Sequence, residues 1–192
     1  MHNTTTRFLT ALLLLTTSGA ALAHPGHDIS GFAAGALHPF SGLDHLLAML
    51  TVGLWAATLG GTAVWKIPAA FVVTLVAGAV LGMTGIHLPL VEPFIALSVL
   101  LLGLAVTLTL RVSATAAIAM ISLFALFHGH AHGSELTEAT SGYLYLLGIT
   151  LASIALHISG LVVGRTLMRH TWLLRSSGAM IAGVGVWMVA GL

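Results

Sequence analysis

The chain contains no cysteine, which removes disulfides, thiolate metal sites and cysteine nucleophiles from consideration. It is nearly as poor in charge. Asp, Glu, Lys and Arg make up 6% of its 192 residues, where a soluble domain carries about 25%. The five acidic and six basic residues almost cancel, so there is no basic surface for a nucleic-acid partner. No GxxxxGK[ST] occurs, hence no loop of that type for nucleotide phosphates, and no HExxH, hence no zinc-protease signature. In place of charge stands apolar bulk: 58% of the residues are hydrophobic and mean hydropathy is +1.07. This is the composition of a protein embedded in a bilayer. What remains conspicuous is histidine. Eleven His are the largest ionisable class, and function is to be sought among them.

The apolar residues are grouped in runs. The first run is too short to span: Arg7 supplies a positive n-region, Phe8 to Leu15 an apolar core, and Ala21-Leu22-Ala23 an A-x-A cleavage site. Residues 1–23 are read as a cleaved signal peptide and residues 24–192 as a single transmembrane domain that begins HPGHD outside the cytoplasm. Six further runs approach the length needed to cross about 30 Å of hydrocarbon. They are Gly42 to Leu59, Ile67 to Ile86, Leu90 to Leu110, Ala114 to Phe127 with an extension through the following histidines, Tyr143 to Val163, and Trp172 to Leu192. Ile29 to Leu37 is too short to cross and reads as a surface or re-entrant helix ahead of the first span. The expected fold is all-α, a polytopic membrane helix bundle of six transmembrane helices. GxxxG spacings at Gly31/Gly35, Gly78/Gly82, Gly129/Gly133 and Gly160/Gly164 support close helix packing in lipid.

Lys66, Arg111, Arg165, Arg169 and Arg175 fall in or beside alternate connections, and the other connections carry no Lys or Arg. The positive-inside rule puts that basic set in the cytoplasm. Both termini of the mature chain are then periplasmic, in a multi-pass protein of the bacterial inner membrane.

On this topology the polar residues collect on the outer side. His24 and His27 stand at the mature N-terminus, His38, Asp44 and His45 at the entrance to span one, Glu92 beside the connection from span two to three, and His128, His130, His132 and Glu135 at the end of span four. His157 lies inside span five. Pro39 biases His38 away from helix, and Ser41 with Asp44 fits a capping box. If FHGHAHGSE is helical, His128, His132 and Glu135 share one face and His130 points elsewhere. If Gly129 and Gly133 break the helix, all three imidazoles converge. Ionisable groups within a membrane mark a functional site by default, and imidazole with carboxylate suits divalent transition metals.

HPFSGLDH followed by LLAM, and FHGHAHGSE, resemble the two signature motifs of the HupE/UreJ family of nickel or cobalt permeases. VEPFIALSVLLLG and Leu156 to Gly160 are also similar to that family, and the resemblance covers essentially the whole mature chain. It implies a secondary, ATP-independent permease and not an enzyme. The permease would carry nickel, or alternatively cobalt, from periplasm to cytoplasm for hydrogenase or urease maturation. By motif, His38, Asp44, His45, His128, His132 and Glu135 would serve permeation, with His130 and Glu92 beside them. His24 and His27 would collect the ion, and His157 would relay it deeper. No cofactor is expected to be permanently bound. The partners are Ni2+ or Co2+ as transported ion and the lipid bilayer, and self-association into a homo-oligomer is left open. Two readings from other classes are a membrane metal buffer or sensor, and a haem-binding protein using His157 as an axial ligand.

Overall fold

The computed structural model of the chain describes residues 29–136 and 141–192. The segment read as a signal peptide lies outside those described residues, as do His24 and His27. Every regular element among the described residues is an α-helix: α1 Ile29–Ser41, α2 Leu43–Leu59, α3 Ala63–Met83, α4 Val91–Thr107, α5 Ala114–Ser134, α6 Gly142–Leu167 and α7 Thr171–Ala190. The six long apolar runs correspond in order to α2 through α7. By length and composition α3, α5, α6 and α7 are each able to cross a bilayer. α1 and α2 form a further candidate as a pair bent by 81°. α4 is apolar but has 17 residues, about 26 Å at 1.5 Å per residue, the lower end of a crossing length.

The closest helix contacts are made through glycine. A Cβ on Gly129 or Gly133 of α5 would fall on the carbonyl oxygen of Leu75 or Ala79 of α3, and one on Gly82 would lie 2.5 Å from that of His130. Gly53 of α2 and Gly160 of α6 meet in the same way, against the carbonyls of His157 and Leu50. Gly35 of α1 packs on Tyr145 of α6. In these three contacts residue numbers rise together, so the paired helices run in the same sense. In the fourth, Gly103 meets Ala182 and Gly185 meets Leu100, so α4 and α7 run antiparallel. These are the directions that a chain running back and forth requires, and they place Lys66, on the first turn of α3, and the connections bearing Arg111 and Arg169 at one end of the bundle.

Phe71, Leu75, Ile121, Ile149, Met49 and Trp55 fill the centre. Large apolar side chains such as Val73, Val162 and Met180 point outward instead, as lipid-facing surfaces do. Trp65 and Trp172 stand exposed near the basic end, Tyr143 and Trp187 near the other, the levels where amphipathic rings meet headgroups.

The corner between α1 and α2 differs from the sequence expectation. Pro39 does not free His38 from helix; α1 continues through it to Ser41. Gly31 and Gly35 seat α1 on α6, and that packing offsets the lost backbone bond and the ring clash of a proline inside a helix. The capping box does not form either. Gly42, with φ −100 and ψ 120, is the N-cap of α2 without a side-chain bond. The Ser41 hydroxyl donates to the His38 carbonyl at 2.6 Å, and Asp44 turns to its neighbour His45.

Candidate functional site

The 81° corner carries His38 on the last turn of α1 and Asp44 and His45 on the first turn of α2. Facing it are the last two turns of α5. That helix runs unbroken through Gly129 and Gly133, because both glycines are seated against α3 and leave the backbone helical. His128 and His132 are therefore one turn apart on one face, and Glu135 follows as the C-cap residue.

The two segments meet ring to ring. His38 lies 4.8 Å from His132 between ring centroids, His45 lies 4.4 Å from His132, and His45 lies 4.8 Å from His128. On the outer rim His38 Nε2 pairs with Glu135 at 3.2 Å. Tyr145 of α6 closes the side, its ring 5.8 Å from His38. Asp44 Oδ1 accepts from the His45 amide at 2.8 Å and contacts His45 Nδ1 at 2.7 Å. The His38 ring beside Glu135 holds that carboxyl below the usual carboxylate range.

His45, His128 and His132 are buried. Among the described residues no hydrogen-bond partner reaches His45 Nε2, His128 Nδ1 or either nitrogen of His132. A buried polar atom without a partner costs about 1–3 kcal/mol. Four such atoms in one cluster are a price that packing alone does not justify, and each is a potential ligand to a cation. No group of three or more His, Asp or Glu among the described residues is posed to hold a metal ion at one point. The rings stand as a file, His38 edge-on to His132 and His45 edge-on to His128, with His45 and His132 tilted by 55°, and do not form a closed cage.

Deeper in the bundle the file continues. Ser98 of α4 contacts His128 Nε2 at 2.9 Å. The fully buried Phe71 has its ring 6.0 Å from His128 and 4.8 Å from His157. His157 is buried, with Nδ1 on the Ser153 carbonyl at 2.5 Å and Nε2 unpartnered among the described residues. It also lines a cavity of about 320 Å3 with Pro68 and Leu161.

Two candidates lie apart from the file. His130 points to the opposite side of α5, where Nε2 lies 2.7 Å from the Ile86 carbonyl. Glu92, on the first turn of α4, lines a cavity of about 310 Å3 with Asp44, Ile95 and Trp187. Through Asp44 that cavity reaches the corner of the cluster.

Comparison with known proteins agrees with the motifs. The family described as HupE / UreJ protein matches residues 12–188. The chain belongs to the HupE/UreJ family. It is 46% identical over 155 residues to Protein HupE of Rhizobium leguminosarum bv. viciae, a match covering 81% of each chain. No solved structure matches. In this HupE/UreJ chain the two motifs are thus opposite walls of one histidine cluster. Ser98, Phe71 and Tyr145 were missed in the sequence. A Ser in an apolar helix satisfies itself on a backbone carbonyl, and a Phe or Tyr there reads as ordinary packing, so none of them carries a signal before the fold places it.

Proposed function

We propose that the chain is a secondary permease for a divalent transition metal, nickel with cobalt as the alternative. It would carry the ion from periplasm to cytoplasm for maturation of a hydrogenase or urease. Membership of the HupE/UreJ family, associated with such accessory transport, supports the class. The single observation that carries the mechanism is the file of buried imidazoles with unpartnered nitrogens between the α1–α2 corner and α5. In this reading α2 to α7 are six crossings, the basic connections are cytoplasmic and both mature termini are periplasmic.

The ion enters at the carboxylates: Asp44 and Glu92 in the outer cavity, and Glu135 beside His38. It then exchanges water for imidazole nitrogens of His38, His132, His45 and His128 in turn. Ligands that do not converge on one point suit passage, because a conducted ion must leave each site as readily as it enters. Phe71 separates His128 from His157 and forms the apolar step of the path. His157 receives the ion on the cytoplasmic side of that step. Inward movement of two charges across 100 mV yields about 4.6 kcal/mol, ~2.3 for each. That suffices for accumulation without ATP.

The test is accumulation of nickel, cobalt and zinc, compared side by side in cells expressing the chain. Nickel or cobalt uptake above that of cells lacking it is expected. Absence of accumulation for all three metals, with the protein present in the membrane, would overturn the proposal.

A further inference from the structure

Ser98 sits in the middle of α4 and is fully buried. Its hydroxyl makes two contacts: the Ile95 carbonyl oxygen at 2.6 Å and His128 Nε2 at 2.9 Å. A carbonyl only accepts, and a hydroxyl has one proton. Two oxygens 2.6 Å apart are stable only with that proton between them. The Ser98 proton therefore goes to Ile95, and Oγ is left as an acceptor toward His128. A neutral imidazole meets an acceptor only by donating. His128 thus carries its proton on Nε2, and its bare lone pair is on Nδ1, the atom that is buried without a partner among the described residues.

The same arrangement recurs at the neighbouring rings with different acceptors. His45 presents Nδ1 to the Asp44 carboxylate, which leaves Nε2 bare. His157 presents Nδ1 to the Ser153 carbonyl, which again leaves Nε2 bare. Each of these rings has one nitrogen held by an acceptor and the other buried and unpartnered. His128 differs in being held at Nε2, by a hydroxyl from another helix.

We propose that Ser98 is a positioning residue that fixes His128 in the Nε2–H tautomer and so commits Nδ1 to the permeating divalent cation. Partners of this kind orient the ring and keep the ligating nitrogen basic, and their loss typically lowers metal affinity about 10–100-fold. The inference rests on the permease reading, since the cation is the cargo of that path.

Ser98→Ala removes the acceptor with almost no change of shape. Ser98→Thr keeps a hydroxyl that reaches the same carbonyl one turn back. The measurements are nickel uptake into proteoliposomes at subsaturating nickel, and the nitrogen-15 signals of histidine-labelled, metal-free protein, with His128 assigned from a His128→Asn sample. We expect an Nε2–H signal for His128 in the parent protein and in Ser98→Thr, and its loss or mixing in Ser98→Ala. Uptake should fall about 10–100-fold in Ser98→Ala and stay within a few-fold of the parent in Ser98→Thr. An Nδ1–H signal in the parent overturns the proposal. So does an unchanged tautomer in Ser98→Ala, whatever its uptake, or unchanged uptake despite an altered tautomer. A parent protein that transports nothing overturns the permease reading instead, and the nitrogen signals still decide whether Ser98 holds His128.

Discussion

Three imidazoles within FHGHAHGSE have unequal surroundings, and the difference follows from helical geometry. His128 and His132 point into the cluster, while His130 is turned to the far side of α5 and bonded to the Ile86 carbonyl. His132→Ala is expected to reduce nickel uptake by roughly 10-fold or more, the least that loss of a supporting ligand contact costs, with normal protein in the membrane. His130→Ala is expected to keep uptake within a few-fold of the parent and to lose about 0.5–1.5 kcal/mol of stability, the worth of one hydrogen bond. Uptake rates and thermal unfolding of the two variants check this; equal, severe uptake losses would mean that His130 also serves the path. Much of this was legible in the sequence. The i, i+4 spacing of His128 and His132 and the rarity of polar residues around them pointed to one shared face. Which of two conformations the segment takes was not legible, because it depends on Leu75 and Ala79 of α3, which receive Gly129 and Gly133. The position of His38 was misjudged for a similar reason: Pro39 has a local bias, and the packing of α1 on α6 outweighs it.

At the scale of elements, the bundle depends on where a Cβ is missing. Gly133 lies against the Ala79 carbonyl, and Gly183 of α7 has nothing within 4 Å of the Cβ position. The obstruction at Gly133 is backbone, which cannot rotate aside. Gly133→Ala is therefore expected to separate α3 from α5 and to destabilise by about 1–3 kcal/mol, the usual cost of overpacking. Gly183→Ala should be neutral or stabilising by up to about 1 kcal/mol, the helix preference of Ala over Gly. Melting of the purified variants in detergent distinguishes these outcomes. A Gly133→Ala protein as stable as the parent would mean that the α3–α5 contact is looser than described. The GxxxG pairs were visible in the sequence, but their partners were not. Nothing in the spacing of Gly160 and Gly164 says that they meet Leu50 and Leu54 of α2, since that contact joins segments more than a hundred residues apart.

For the whole molecule, the hydrophobic runs were enough to read an all-helical membrane protein, because a bilayer admits few other solutions. The bend at Gly42 and the 17-residue length of α4 were less accessible. If α2 to α7 each cross the membrane, a reporter fused after Leu192 should be active in the periplasm and one inserted near Arg169 in the cytoplasm. The reverse pattern would contradict the orientation drawn from the basic residues. The central claim, however, is that the α1–α2 corner and the end of α5 form one ion site. Its most direct test is nickel uptake into proteoliposomes by the parent, His45→Ala, His132→Ala and the double variant, at equal protein content. Rings 4.4 Å apart that serve the same ion should show a coupling of about 0.5–3 kcal/mol, so the double variant should be little worse than the poorer single one. Losses that multiply as for independent sites, or near-normal uptake by the double variant, would contradict the shared site.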